Sequence, residues 1–473
     1  MNQAGGFLIK LKSGRALVTG ISKGFNATLE VPGDKSISHR AIMLGSLASG
    51  ISKVYNLSLS RDNLATIAAF RKLGVAIAAA KPDKNNKNSK DFVINGVGLH
   101  GLKEPKTIIN TANSGTLTRL IAGILAGNEF FSVLSGDKYL NSRPMRRITE
   151  PLSLMGAKIT GRENGNYPPI AIKGGKLKSI YYEMPVPSAQ VKSCIMLAAL
   201  FAEGNTVIYE KKATRNHTEN FLKLQGCRIA VENPKFDDNL ITVEGGGELK
   251  PFEITVPGDF SSASFFIALG ILRKNSEIII KNVLLNEKRT GLLKVLEMMG
   301  ANIEITLEDK KLEKVGTIKA KYSNLQGVAV PPELVSDMID EFPIFAVIAS
   351  FAGGITKVTG AGELRVKESD RIKTIVSNLS LFGVKIKELE DGFELTGNPD
   401  LIFTGNGVKL NNKDFVAADS FGDHRIAMSM VVMGLLLKNI GTEVRDIKCI
   451  GTSFPEFFDI LSKLTKEEGG NGP

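Results

Sequence analysis

One unit recurs six times along this chain, and the repeat sets the architecture before any single motif is read. Each copy opens with a polar loop carrying Gly, Ser or Asp and runs straight into an apolar stretch rich in small residues. The copies are SISHRAIMLGSLASG from Ser36, NSGTLTRLIAGILAG from Asn113, SAQVKSCIMLAALFAEG from Ser188, SSASFFIALGIL from Ser261, DEFPIFAVIASFAGG from Asp340 and DHRIAMSMVVMGLLL from Asp423. Their starts lie roughly 70 to 85 residues apart. The stretches are apolar nearly all round, which predicts buried helices. Small residues such as Gly123, Ala198, Ala199 and Ala349 would let them pack closely.

A second pattern falls between the copies: an amphipathic stretch ending in glycine, then a β-like run. It reads RKLGVAI at Gly74, SLMGAKI at Gly156, KLQGCRI at Gly226, EMMGANIEI at Gly300 and SLFGVKI at Gly383. The sixth copy, SFPEFFDILSKL, ends without that glycine. VPGD occurs at Val31 and again at Val256, each time before a Ser-rich helix start, so the six units divide into two sets of three. Each unit reads as strand, buried helix, strand, amphipathic helix, strand, strand. Residues before about Val31 read as further strand. The prediction is an α/β chain of two domains, each with three buried helices ringed by sheets, and a cleft between the halves.

At 473 residues, 43% of them hydrophobic, the chain can bury two substantial cores. No apolar run reaches the ~18 residues needed to span a bilayer, and the N-terminus lacks a secretory layout, so no membrane partner is expected. Cys194, Cys227 and Cys449 form no C-x-x-C pair, which argues against a disulfide framework and for a reducing cytoplasm. The net charge is +11. Part of it is a lysine/asparagine stretch, KPDKNNKNSK from Lys81. The arginines are placed more pointedly: Arg40, Arg119, Arg143, Arg215, Arg371 and Arg425 all fall at or near helix openings. Scattered guanidinium groups of this kind suit a small, multiply anionic ligand better than nucleic acid.

Helix N-termini present unpaired N–H groups and partial positive charge, so openings that also carry Lys and Arg are anion sites in the making. VPGDKSISHR is not a nucleotide loop, because Leu29 and Asp34 stand where G-x-x-x-x-G-K-[ST] requires glycines. GVGLHG at Gly96 runs into KEPK instead of a helix. Ser188 and Lys192 have the spacing S-x-x-x-K, not that of acylating serine enzymes. His39, His100, His217 and His424 have no metal-ligand spacing, so no metal is expected. Asp340 in MIDEFP fits an ordinary N-cap. Lys367, Glu368 and Arg371 in RVKESDR, taken alone, fit a salt-bridged surface turn. Two carboxylates set among cations can also serve as proton carriers.

Nine segments decide between these readings. VPGDKSISHRAIMLGSLASG, NSGTLTR, SRPMRR, PSAQVKS, TRNHTE, MIDEFPIFAV, LRVKESDR, DHRIAMS and TSFPEF, in that order from Val31 to Phe457, closely resemble the 3-phosphoshikimate 1-carboxyvinyltransferase (EPSP synthase) family. DKSISHR, SAQVKS and RVKESDR resemble its class II bacterial branch. The resemblance implies the enolpyruvyl transferase fold, a two-domain inverse α/β barrel with three βαβαββ units per domain around buried helices. It implies domains of residues 34–257 and of 1–33 plus 258–473, with the N-terminal strand in the second and crossovers near Gly33 and Gly258.

The implied reaction transfers the enolpyruvyl group of phosphoenolpyruvate to the 5-hydroxyl of shikimate 3-phosphate and releases phosphate, by addition and elimination. By motif position Lys35, Ser36, Arg40, Ser188, Ala189, Gln190, Arg215, Asp340 and Lys367 would hold shikimate 3-phosphate. Lys35, Gly115, Arg143, Gln190, Arg371 and Arg425 would hold phosphoenolpyruvate. Lys35, Asp340 and Glu368 would be catalytic: Lys35 bridging the departing phosphate, Asp340 assisting removal of the 5-hydroxyl proton, Glu368 protonating the methylene carbon. No metal or organic cofactor is implied, and a monomer is expected. Thr452 stands where one branch carries a lysine. Gly115 stands where tolerant class II members carry alanine, which leaves room for glyphosate as a competitive inhibitor. The sister transferase acting on UDP-N-acetylglucosamine needs a loop cysteine that none of the three here supplies. A non-catalytic anion-binding copy would be expected to lose Asp340 or Glu368 first.

Overall fold

The structure, a computed structural model, describes residues 9–80, 90–234, 238–308, 312–401, 408–410, 413–437 and 440–465. Most of the lysine/asparagine stretch, 81–89, lies outside the described residues. The chain divides into two compact units. One is Pro32–Pro257 with Asp309–Lys314; the other is Met1–Val31, Gly258–Glu308 and Val315–Pro473.

In the unit Pro32–Pro257 the helices are α1 (Lys35–Leu47), α2 (Arg61–Lys72), α3 (Gly115–Ala126), α4 (Arg146–Leu154), the short turn α5 (Arg162–Gly165), α6 (Ala189–Ala199) and α7 (His217–Leu224). Three four-stranded sheets accompany them. Their orders are Glu253–Thr255, Ser49–Tyr55, Phe92–Val97, Ala76–Ala79; Ile109–Asn110, Phe131–Ser135, Tyr167–Lys173, Lys158–Gly161; and Tyr181–Glu183, Asn205–Glu210, Asn239–Glu244, Ile229–Glu232. In each sheet the first pair is parallel and the next two are antiparallel, so the threefold repeat in sequence is a threefold repeat in pairing. Helices α1, α3 and α6 bury almost every residue. Helix α3 meets α6 at Gly123, where an added Cβ would lie 2.2 Å from the Cys194 carbonyl oxygen, so only glycine permits the approach. Helices α2, α4 and α7 bury one face and end at Gly74, Gly156 and Gly226. All three glycines have positive φ, as do Gly300 and Gly383 in the other unit. This is the left-handed residue that closes a helix and releases the chain into the next strand.

The other unit contains α8 (Phe260–Leu272), α9 (Gly291–Met298), the short α10 (Pro332–Val335), α11 (Phe342–Ser350), α12 (Arg371–Leu381), α13 (His424–Leu436) and α14 (Phe457–Thr465). Helices α8, α11 and α13 are buried nearly all round. Two features depart from a plain repeat. The strand before each set's first helix does not pair in that helix's unit: Asn26–Glu30, ahead of α1, runs parallel to Glu277–Leu284, and Glu253–Thr255, ahead of α8, runs parallel to Ser49–Tyr55, each pairing lying inside one compact unit. The sixth copy, which lacks the terminal glycine, is completed by the N-terminal hairpin. Strand Arg15–Thr19 pairs with Gly441–Arg445, and Ile9–Lys12 pairs with Arg15–Thr19. The TSFPEF segment anchors that end of the chain through its rings. Phe454 stacks edge-on at 6.2 Å from Phe266, and Phe457 at 5.8 Å from Phe265, all four buried. Among the described residues no helix is long and apolar enough to cross a membrane.

Candidate active site

Local chemistry fixes the helix openings first. Asp34 caps α1 through the Ile37 amide at 2.8 Å, Ser114 caps α3 through Leu117 at 3.1 Å, and Ser188 caps α6 through Val191 at 3.4 Å. Asp259 caps α8 through Ser261 at 2.8 Å, and Asp423 caps α13 through Arg425 at 2.9 Å. The exception is α11, whose N-cap residue Glu341 makes no side-chain cap bond. Asp340 lies one residue before that cap position.

In the unit Pro32–Pro257 the predicted residues form two clusters and one pair. Lys35, at the start of α1, pairs with Asp62 of α2 at 3.1 Å. Arg40, one turn further and buried, donates from Nε to Thr218 Oγ1 at 2.8 Å, from Nη2 to Ser193 Oγ at 2.8 Å and from Nη1 to the Ser36 carbonyl at 3.1 Å. Burial pulls its pKa down to about 10, and Glu219 is the strongest influence in the other direction. Arg215 lies in the segment leading into α7, close enough to oppose the charge of Arg40. The second cluster surrounds Gly115, the first residue of α3. Arg119 Nη1 donates to Gln190 Oε1 at 2.7 Å, Gln190 Nε2 donates to Thr116 Oγ1 at 3.0 Å, and Arg143 Nη2 donates to Asn113 Oδ1 at 2.5 Å. Gly115, Arg143 and Gln190 are thus brought together, whereas the Ser188 hydroxyl is engaged as a cap.

In the other unit the buried guanidinium of Arg371 gathers three acids. Arg371, 1% exposed, donates from Nε to Asp423 Oδ2 at 2.8 Å and from Nη2 to Glu368 Oε2 at 2.7 Å, and its Nη1 lies 3.5 Å from Asp340 Oδ1. Burial would lower its pKa, but Asp423, Glu368 and Asp340 together raise it, so the charge is permanent. Asp340 also lies 3.9 Å from Arg425 Nε and 3.9 Å from Arg289 Nη1. It is therefore a carboxylate loosely ringed by three guanidinium groups and still open to solvent on one side. Lys367 is partly exposed, yet dehydration of its ammonium holds its pKa below the ordinary lysine value. Arg371 adds to that shift and Asp340 opposes it. RVKESDR splits accordingly. Arg365 pairs with Asp370 and Glu388, both at 2.9 Å, as a surface turn would, while Lys367, Glu368 and Arg371 face the acid cluster.

Several members of these clusters escape a reading of the sequence. Arg289, in NEKRTG, donates to Ser261 Oγ at 2.8 Å and to Asp259 at 3.3 Å. Glu341 is fully buried, takes the Ser261 hydroxyl and sits 3.8 Å from Arg425 Nη1. Its position next to Asp340 was the only local signal. The cysteines offer no thiolate: burial pushes Cys194 and Cys449 up to about 12 and Cys227 to about 11.

Comparison with known proteins gives the family. The profile of the family described as EPSP synthase (3-phosphoshikimate 1-carboxyvinyltransferase) matches residues 20–461. A 3-phosphoshikimate 1-carboxyvinyltransferase of Pelobacter propionicus is 47% identical over 437 residues, 92% of this chain and 95% of that protein. One of Citrifermentans bemidjiense is 46% identical over 446 residues, 94% of this chain and 98% of that protein. A solved EPSP synthase from Acinetobacter baumannii superposes with a TM-score of 0.81 at 38% identity, covering 95% of this chain and 98% of its own. With the mixed α/β fold shared and the match running almost end to end, the chain belongs to the EPSP synthase (3-phosphoshikimate 1-carboxyvinyltransferase) family.

Proposed function

We propose that the cationic clusters hold the two anionic substrates of the family's reaction and that Asp340 and Glu368 move its protons. EPSP synthase activity, a transferase step of the shikimate pathway, comes with membership of the family. In this reading Lys35, Ser36, Arg40, Ser188, Ala189, Gln190 and Arg215 from one unit, with Asp340 and Lys367 from the other, bind shikimate 3-phosphate. Lys35, Gly115, Arg143, Gln190, Arg371 and Arg425 bind phosphoenolpyruvate. The observation that carries it is the acid cluster: Asp340 and Glu368 both lean on Arg371, and Arg425 is also within reach of Asp340.

The chemistry uses that arrangement in order. Arginine forks neutralise the carboxylate and phosphate of phosphoenolpyruvate, which removes the repulsion between two anions. Competition for Arg371 by these anions frees Glu368 to carry a proton. Glu368 delivers it to the methylene carbon as the 5-hydroxyl oxygen adds to the neighbouring carbon, and Asp340 takes the hydroxyl proton. Elimination then expels phosphate beside Lys35, while a methyl proton returns to the enzyme. Exclusion of water from the reacting groups would strengthen each contact and protect the tetrahedral intermediate. Phosphate release from phosphoenolpyruvate in the presence of shikimate 3-phosphate tests the activity; well-folded protein that releases none refutes it.

The pH dependence has a definite sign. Lys367 has a depressed pKa, so its ammonium is lost as pH rises through a value below that of an ordinary lysine. The KM for shikimate 3-phosphate is expected to be flat near neutrality and to climb on the alkaline side. Lys367→Arg keeps the charge and should shift or abolish that limb; an unchanged profile removes Lys367 from the binding role.

The same reading places the chain in the class II branch, with the inverse α/β barrel fold in domains of 34–257 and of 1–33 plus 258–473, as a cytoplasmic monomer that glyphosate inhibits by competing with phosphoenolpyruvate. Gly115 is the point to probe. An added Cβ would lie 2.8 Å from Arg119 Nη1 and 3.2 Å from Arg143 Nη1, both ends of flexible side chains. Gly115→Ala should therefore fold normally and raise the glyphosate inhibition constant about tenfold, with a smaller rise in the KM for phosphoenolpyruvate. Equal sensitivity in the variant would separate glyphosate from this position.

A further inference from the structure

A buried ionic triad lies behind the proposed shikimate 3-phosphate residues and belongs to none of the assignments above. Lys192, on the second turn of α6, is fully buried, as are Glu210 at the end of strand Asn205–Glu210 and Glu219 in the first turn of α7. The ammonium uses all three of its donors: Glu219 Oε1 at 2.6 Å, Glu210 Oε2 at 2.9 Å and the Thr214 carbonyl at 3.2 Å. Glu210 is held in turn by Asn239 Nδ2 at 3.1 Å and by the Thr214 hydroxyl. Glu219 keeps a buried second oxygen, Oε2, with no hydrogen-bond partner.

Stability alone is a poor reason for such a group. Removing three charges from water is costly, and apolar side chains of the same volume would hold these elements together equally well. Its connections are more telling. Lys192 and two of its three partners, Glu219 and Thr214, each sit beside a residue that touches Arg40 or beside Arg215. Ser193, which accepts from Arg40 Nη2, follows Lys192 in sequence; Thr218, which accepts from Arg40 Nε, precedes Glu219; Thr214 precedes Arg215. The two hydroxyls are themselves in contact at 2.7 Å. We propose that Lys192, Glu210 and Glu219 are positioning residues for the shikimate 3-phosphate phosphate site. They lock α6, the segment 211–216 and α7 together so that the Ser193–Thr218 hydroxyl pair aims Arg40, and Thr214 fixes the root of Arg215. The inference rests on the reading that Arg40 and Arg215 meet that phosphate.

The test separates geometry from charge. The double variant Lys192→Met with Glu219→Gln removes one positive and one negative charge, so the cluster's net charge is unchanged while its lock is lost. The expected result is a KM for shikimate 3-phosphate raised about tenfold or more, since misplacement of a binding group by an ångström is enough for that, with the KM for phosphoenolpyruvate within about twofold. Thr218→Val, nearly isosteric and outside the triad, removes one of the hydroxyls that aim Arg40, and should raise the same KM while leaving the melting temperature near that of the unmodified protein. It keeps the question answerable if the double variant fails to fold. Arg40→Ala is the control. If Arg40→Ala raises the KM for shikimate 3-phosphate and folded Thr218→Val and the double variant do not, the positioning role is wrong. If Arg40→Ala leaves it unchanged, the underlying assignment of the phosphate site is wrong.

Discussion

Glu368→Gln is expected to cut kcat by about 10²- to 10⁴-fold, the range for loss of a general acid, while both KM values stay within a few-fold. Glutamine keeps the length and an oxygen to accept the bond that Arg371 Nη2 now gives Glu368 at 2.7 Å. What it lacks is a transferable proton. The stability loss should be small, because Arg371 retains Asp423 at 2.8 Å and Asp340 at 3.5 Å. Two measurements separate the proton role from a structural one. Melting temperature should barely move. Deuterium incorporation at the methylene carbon of phosphoenolpyruvate, readable during turnover in heavy water, should fall with kcat. Near-normal turnover would take Glu368 out of the addition step and make Asp340 the next acid to test.

What the sequence disclosed and what it withheld divide along a physical line. Gly74, Gly156, Gly226, Gly300 and Gly383 were legible because a left-handed helix end is a local demand on the backbone, and each sits at positive φ. The buried helices were legible because their composition is apolar on every side. The exchange of opening strands was not legible from pattern. Asn26–Glu30 and Glu253–Thr255 each precede a VPGD turn and a Ser-rich helix, so nothing local says that each pairs away from the unit of the helix it leads into. The N-terminal hairpin that completes the sixth copy is hidden in the same way, since its partner Gly441–Arg445 is more than 400 residues away.

The candidate site shows the same split residue by residue. Asp340 fitted an N-cap as well as an acid; only the fold, which gives the cap position to Glu341 and sets Asp340 among Arg289, Arg371 and Arg425, removes the first option. Asp423 caps α13, and its other oxygen holds Arg371 from 52 residues away. Arg289 and Glu341 carry no motif of their own. The fold joins them through Ser261 of α8, which bonds to both.

Arg371→Met should be the most damaging single change, and for two separable reasons. The guanidinium is 1% exposed and answers three carboxylates, of which Asp423 is fully buried. Taking one partner from a buried ion pair costs about 3–5 kcal/mol, because the acid left behind has lost its water as well as its cation. Turnover should also vanish, since the proposed phosphoenolpyruvate contact and the partner of Glu368 go together. Adding Asp423→Asn to the variant distinguishes the two effects. Asparagine still caps α13 but carries no charge, so the double variant should recover at least half of the lost stability in urea unfolding. It should recover no activity. A double variant that regained turnover along with its fold would mean that Arg371 only neutralises Asp423, and that phosphoenolpyruvate is held by Arg425 and the Gly115 cluster without it.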